Sequence, residues 1–120
     1  MVSFEPPRPT PVILVVESES VGNLIDVVLE KAGYHVLAAE VTAARQALRD
    51  SVIDLLITNE PWWFEPFAPD LRVLYIAGAP DREFLQRHDP ARVAFLQKPF
   101  RFQNLLLTVH LLLQDVAKTV

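Results

Sequence analysis

The chain has 120 residues, of which 51% are hydrophobic and 22% are charged, so its length and composition fit one globular domain. The formal net charge of −4 argues against nucleic-acid binding, and the absence of cysteine excludes disulfides, thiolate metal sites and cysteine nucleophiles. The start has no signal-peptide pattern and no apolar run reaches membrane-spanning length, which predicts a soluble, cytoplasmic protein.

The N-terminal segment is rich in proline: Pro6, Pro7, Pro9 and Pro11 all precede the first apolar run. We predict an extended tail or linker over residues 1–11, followed by one domain over residues 12–120. A simple tail and a Pro-rich docking motif are both compatible with this composition.

Five short apolar runs predict strands: residues 12–16, 35–39, 55–58, 73–76 and 93–97. The first of them has the composition of a strand that is buried on both faces. Helical spacing between them predicts a first helix that Gly33 ends and a second that Thr42 caps. A short helix over residues 81–87 and a long one over about 102–116 follow. Alternating strands and helices predict an α/β sandwich of three layers around a parallel sheet.

The connection after the third strand departs from this alternation. Three prolines between Asn59 and Leu71 leave no room for an ordinary helix, so we expect a loop or at most one helical turn. Its aromatic residues either fill the space of the missing helix or form an exposed anchor for a partner. They are Trp62, Trp63, Phe64 and Phe67.

Four segments at predicted strand ends occur in a familiar order: residues 13–19 (ILVVESE), 54–59 (DLLITN), 73–78 (VLYIAG) and 95–100 (FLQKPF). Together they resemble the receiver domain of response regulators and hybrid histidine kinases, over roughly residues 12–116. The pair Lys98-Pro99 is the most specific feature. The resemblance implies a flavodoxin-like fold with a five-stranded parallel sheet in the order 2-1-3-4-5, here with the third helix shortened or missing. In such sheets the site lies beyond the carboxyl ends of the strands.

The resemblance also assigns positions in the site. By this comparison Glu17 and Ser18 stand at the two acidic positions, Asn59 at the phosphoacceptor aspartate and Lys98 at the family lysine. The two switch positions, a hydroxyl residue and an aromatic residue in the family, are Ala77 and Phe95.

Several of these residues depart from the family chemistry. The carboxamide of Asn59 is a poor nucleophile, and Ser18 and Asn59 each remove a charge that Mg²⁺ prefers. We therefore expect no enzymatic activity and no cofactor, with at most weak Mg²⁺ binding at Glu17. Lys98 is free to pair with Glu17 instead.

The interpretation is a pseudo-receiver in two-component phosphorelay signalling, which binds other proteins without being phosphorylated. Two alternatives stay open: phosphorylation at a non-standard site such as Glu60, and a small-ligand sensor that uses the altered pocket. Helical spacing along the last helix predicts one apolar arc that faces the sheet, made of Phe102, Leu105, Leu106, Val109, Leu112, Leu113 and Val116. Leu107 and Leu111 fall outside this arc, which predicts a partner or dimer face. A histidine kinase, an output domain or a second copy would suit it.

Overall fold

The computed structural model describes residues 10–118, with side chains to residue 114. Its five strands are β1 (Val12–Val16), β2 (His35–Ala38), β3 (Leu55–Thr58), β4 (Arg72–Ala77) and β5 (Val93–Gln97). Its helices are α1 (Glu19–Lys31), α2 (Val41–Asp50), α3 (Arg82–Gln86) and α4 (Phe102–Lys118). A single 3₁₀ turn, Pro61–Phe64, lies between β3 and β4. This 3₁₀ turn confirms the prediction that at most one helical turn lies between the third and fourth strands.

All neighbouring strands pair in parallel, and their order is β2-β1-β3-β4-β5. This is the flavodoxin-like order that the sequence predicts. The core of the sheet is fully covered, since every residue of β3 is buried and β1 is buried from Ile13 onward. Strands covered on both faces read as continuous apolar runs, and this is why their positions could be identified from composition.

Side chains of successive strand residues point to opposite faces, and each face packs on a different set of helices. One face, with Ile13 and Ile57, packs against α1 and α4 through residues such as Leu29 and Val109. The other face, with Leu14 and Tyr75, packs against α2, the 3₁₀ turn and α3. The structure is therefore the expected three-layer sandwich, with the 3₁₀ turn in place of one helix.

Helix ends follow local chemistry at two places. Gly33 has φ of +98°, a conformation that glycine adopts without strain, and the N–H of Tyr34 donates to the Leu29 carbonyl at 3.1 Å. The predicted stop of α1 at Gly33 is thus confirmed. At α3, the Asp81 carboxylate accepts the N–H of Phe84 at 3.0 Å and caps the helix.

Some predicted boundaries are wrong. Thr42 does not cap α2, because the helix already begins at Val41 and Glu40 holds the N-cap position without a side-chain bond. The strand β4 is longer than residues 73–76 by one residue at each end, since Arg72 and Ala77 still pair with neighbouring strands. In the Pro-rich segment, residues 1–9 lie outside the described residues.

Candidate functional site

The carboxyl ends of β1, β3, β4 and β5 meet at one edge of the sheet, because the strands are parallel and adjacent. Val16 is paired with Thr58, so Glu17 and Asn59 follow neighbouring strand ends. The N–H of Lys98 donates to the Ala77 carbonyl at 2.8 Å, which fixes the end of β5 beside that of β4. The fold thus brings the sequence-predicted site residues to a common edge, where parallel α/β proteins place their sites.

Glu17 and Lys98 form the central contact at this edge. Glu17 Oε2 lies 3.2 Å from Lys98 Nζ, and the Glu17 side chain is only 1% exposed, whereas that of Lys98 is 30% exposed. The other oxygen, Oε1, accepts the N–H of Ser18 at 3.0 Å. Oε2 has no aligned hydrogen bond, so its compensation is the charge of Lys98. The predicted pairing of these two residues is confirmed.

The end of β3 presents three residues with different surroundings. Thr58 is buried, and its hydroxyl accepts the N–H of Glu60 at 3.2 Å. Asn59, between them, is half-buried. The Glu60 carboxylate lies at the surface, where it accepts the indole N–H of Trp63. Two adjacent residues therefore differ in role: Asn59 lies at the strand-end edge, while Glu60 binds the 3₁₀ turn.

The two residues predicted at switch positions, Ala77 and Phe95, lie on the neighbouring strands β4 and β5. Ala77 ends β4, half-buried, and offers only a methyl group. Phe95, in β5, makes an edge contact with Tyr75, with ring centroids 5.0 Å apart. Tyr75 is itself buried, and its hydroxyl accepts the N–H of Asp81 at 3.1 Å. Phe95 therefore packs against an aromatic residue that lies beneath the start of α3.

A cluster of aromatic rings covers the sheet face where a helix would ordinarily lie. Phe84 is its centre: its ring meets the edges of Tyr75, Trp62 and Phe67 at centroid distances of 5.6, 6.2 and 6.2 Å. Phe64 is buried in the same layer, but Trp62 and Trp63 remain partly exposed. The aromatic segment thus both fills space and leaves rings at the surface. Periodicity alone did not reveal Tyr75 and Phe84 as the anchors of this layer.

The last helix, α4, has one buried and one exposed apolar face. Leu105, Val109, Leu112 and Leu113 are buried against the sheet, whereas Leu107 and Leu111 are exposed one turn apart. The expected exposure of these two leucines is confirmed. Phe102 was expected on the buried arc, but it is exposed because it opens the helix beyond the end of β5. Val116, also expected there, has a side chain outside the described residues.

The described part of the chain lacks two kinds of functional feature. Residues 10–118 include no group of three or more histidine, cysteine, aspartate or glutamate side chains arranged to hold a metal ion. Within the same range, no helix combines the length and the apolarity that crossing a membrane requires.

Similar proteins are found by structure rather than by sequence. No protein-family model and no curated protein matches the chain. A response regulator from Thermotoga maritima is 25% identical, with a TM-score of 0.66, covering 87% of this chain and 98% of its own. The signal receiver domain of an HD domain-containing protein from Pseudomonas fluorescens Pf-5 is 21% identical, with a TM-score of 0.78, covering 98% of this chain and 97% of its own.

A third similar structure is a CheY-like response regulator receiver domain protein from Methanospirillum hungatei JF-1. It is 16% identical, with a TM-score of 0.73, and the alignment covers 92% of this chain and 98% of the other. The strand order and these neighbours together define the class: the chain has the fold of the receiver domains of two-component response regulators.

Proposed function

We propose that the chain is a receiver-type module of two-component signalling that acts by binding another protein and is not phosphorylated at the end of β3. One observation supports this most strongly. The buried carboxylate at the strand-end edge, Glu17, is already neutralised by Lys98, while the neighbouring acceptor position carries Asn59. The site is therefore balanced in charge without a phosphoryl group or a metal ion.

Phosphoryl transfer to a receiver depends on a nucleophilic carboxylate and on cations that neutralise the charge in the transition state. The amide of Asn59 is neutral, and attack through its oxygen would not give a stable acyl phosphate. Lys98 is directed towards Glu17, where a phosphoryl group would have to compete with a carboxylate 3.2 Å away. Both requirements of the transfer are thus weakened at once.

The donor set at this edge does not suit Mg²⁺. The ion prefers several hard oxygen ligands with near-octahedral geometry, commonly carboxylates. The carboxylate of Glu17 already accepts the N–H of Ser18 and faces the ammonium group of Lys98. Binding of Mg²⁺ to this carboxylate would therefore have to displace Lys98. Ser18 and Asn59 add only neutral oxygens. Loss or weakening of Mg²⁺ binding is part of the proposal.

The residues at the two switch positions also support the proposal. A phosphoryl-sensing residue needs a hydroxyl or another donor, and Ala77 has none. Phe95 has no phenol hydroxyl and packs on Tyr75. A receiver of this kind would keep one conformation of its output surface, so partner binding would depend on expression or localisation rather than on phosphorylation.

The partner surface in this proposal is the exposed face of α4. Leu107 and Leu111 lie one turn apart on a helix whose opposite face is buried, and exposed apolar pairs of this kind suit a protein interface. A histidine kinase, an output domain and a second copy of the chain are the candidate partners. Measurement of the solution mass separates self-association from the other two.

The alternative acceptor, Glu60, has its own structural use. Its carboxylate accepts the Trp63 indole N–H at the protein surface, next to the 3₁₀ turn. Phosphorylation there would break that bond and would lack the nearby lysine. A ligand sensor remains the other alternative, and it predicts changes in melting temperature with added metabolites.

The proposal is tested by incubating the full chain with Mg²⁺ and acetyl phosphate, or with a phosphorylated histidine kinase, and recording its intact mass. The expected result is an unmodified chain. A stoichiometric adduct that hydrolyses like an acyl phosphate would refute the proposal. Repeating the reaction with Glu60→Gln then identifies the site, because only modification at Glu60 would be lost in that variant.

A further inference from the structure

A groove runs along the flank of α2 that faces the 3₁₀ turn. One wall is α2 from Arg45 onward together with residues 51–53, and the other wall is residues 63–71. The groove exists because the chain between β3 and β4 forms a 3₁₀ turn of four residues and a loop, which leave part of α2 uncovered. We call it the α2 groove. Its volume of about 670 Å³ lies within the ~300–1,000 Å³ that is typical of small-molecule sites.

Both walls of the α2 groove carry apolar side chains. Leu48 and Val52 lie on the α2 side, and Phe67 and Leu71 lie on the opposite side. Val52 is the most open of them, with 81% of its surface exposed. Water in contact with such side chains is released when an apolar molecule covers them, and this release favours binding. The walls therefore suit a hydrocarbon chain that lies along the groove.

The wall opposite α2 is held in place at both ends by arginine side chains. Near its start, Nε and Nη2 of Arg45 donate to the Trp63 carbonyl at 3.1 and 2.9 Å. Towards its end, Nη2 of Arg92 donates to the Ala68 carbonyl at 3.2 Å. Because these bonds are made within the protein itself, the groove is formed before a ligand arrives, and binding does not have to order the loop.

The α2 wall also carries two positive charges. Arg45 and Arg49 are four residues apart on α2, so their side chains are neighbours on the same helix face. Arg45 donates to a neutral carbonyl, and Arg49 makes no hydrogen bond or ion pair with any residue that the structure describes. A guanidinium fork matches the two oxygens of a carboxylate, so this wall is suited to bind one.

The two acidic residues that line the groove leave the basic part of it free for an anion. Glu65 is already paired with Arg87, at 2.8 Å. Asp70 lies just before β4, at the amino ends of the strands, whereas Trp63, which Arg45 contacts, follows the carboxyl end of β3. The groove is thus acidic at one end and basic towards the other, which sets the direction of a bound carboxylate.

We infer that the α2 groove binds a linear aliphatic monocarboxylate, with its carboxylate between Arg45 and Arg49 and its chain along the apolar walls. Binding is non-covalent and needs both parts of the ligand, because an exposed ion pair contributes little by itself. This inference goes beyond the proposed function and does not depend on it, since Glu17, Asn59 and Lys98 do not line the groove.

The test titrates the isotope-labelled full chain with sodium decanoate and follows the backbone amide signals by NMR. Three further probes separate the parts of the ligand. Decanol has the same chain with a neutral head, decyltrimethylammonium has the same chain with a cationic head, and acetate has the carboxylate without the chain. Isothermal titration calorimetry gives the dissociation constants.

Two variants change the groove, and each has a matched control elsewhere. Arg49→Gln removes the charge of the unpaired arginine, and Arg82→Gln removes that of an exposed arginine in α3. Val52→Asp places a carboxylate in the groove, and Leu24→Asp makes the same change at an exposed apolar residue of α1. All four side chains are exposed, so the fold should tolerate the changes, which circular dichroism verifies.

The inference predicts saturable binding of decanoate, with signal changes centred on residues 45–53 and 63–71. Decanol should bind about fivefold more weakly, decyltrimethylammonium no better than decanol, and acetate not measurably. Arg49→Gln should weaken decanoate binding about fivefold and abolish the preference over decanol. Val52→Asp should weaken it about tenfold, because it adds a like charge and removes apolar surface, whereas both controls should leave the affinity unchanged.

Absence of saturable binding, or equal affinity of the wild type for decanoate and decanol, would overturn the inference without recourse to any variant. Signal changes centred on another surface, such as α4, would do the same, as would an unchanged affinity in Arg49→Gln. If the groove signals shift when the protein alone is diluted, a second copy of the chain occupies the groove, and the inference is wrong.

Discussion

Replacing Lys98 by methionine tests the central contact of the strand-end edge. Methionine keeps much of the apolar stem of lysine but removes the ammonium group that lies 3.2 Å from Glu17 Oε2. The Glu17 carboxylate would then remain in a place where its side chain is only 1% exposed, with one N–H from Ser18 as its remaining compensation. A buried charge without its partner is strongly destabilising.

The size of the effect follows from the exposure of the two partners. Breaking a fully buried ion pair costs about 3–5 kcal/mol, but Lys98 is 30% exposed, so water compensates part of the loss. We expect Lys98→Met to lower the free energy of unfolding by about 2–3 kcal/mol. In the Lys98→Met background, Glu17→Gln should restore about 1–2 kcal/mol, because a neutral amide tolerates the buried position better.

Urea denaturation of the wild type, the two single variants and the double variant measures these energies. Lys31→Met, an exposed lysine in the last turn of α1, is the matched control and should change stability by no more than about 0.5 kcal/mol. If the losses from Lys98→Met and Glu17→Gln simply add, the two residues do not interact energetically, and the reasoning about a self-neutralised site fails.

Three other predictions concern the core, the surface and pH. Phe84→Ala should cost about 3–4 kcal/mol in urea denaturation, because it removes the central ring of the aromatic layer; a loss below about 1 kcal/mol would contradict that role. Leu107→Lys with Leu111→Lys should leave stability within about 0.5 kcal/mol and convert any dimer to monomer by light scattering, whereas an unchanged dimer would place the interface elsewhere. A hydrogen bond with Asp26, and its charge, raise the pKa of Glu30, so the folded state keeps this proton to higher pH than the unfolded chain does. Stability should therefore fall as the pH rises from the unfolded towards the folded pKa, and Glu30→Gln should flatten that fall in melting curves recorded across this range.

The parts of the fold that depend on continuous apolar runs were predictable from sequence. The strands β3, residues 55–58, and β5, residues 93–97, have the predicted bounds. Every residue of β3 is buried, and a buried parallel strand needs no polar positions. The contact between Glu17 and Lys98 was also predictable, since parallel strand ends meet at one edge.

Contacts across the 3₁₀ turn were not predictable. The bond between Glu60 and Trp63 arises because side chains three residues apart eclipse each other in a 3₁₀ turn, and the sequence did not specify that geometry in advance. The position of Phe102 was wrong because helical spacing describes which face a residue occupies, but not whether the sheet extends beneath the first turn. The N-cap of α2 was also misplaced at Thr42, because another polar residue nearby, Glu40, begins the helix instead.

The central claim, that the strand-end site does not accept a phosphoryl group, is tested most directly by comparing the wild type with a variant in which the two missing acids are restored. Both proteins, the wild type and Ser18→Asp with Asn59→Asp, are treated with Mg²⁺ and acetyl phosphate, and their intact masses are recorded over time. The variant regains a nucleophilic carboxylate and a second metal ligand beside Lys98. The account predicts a phosphoryl adduct on the variant and none on the wild type. An adduct of equal occupancy on the wild type would contradict it.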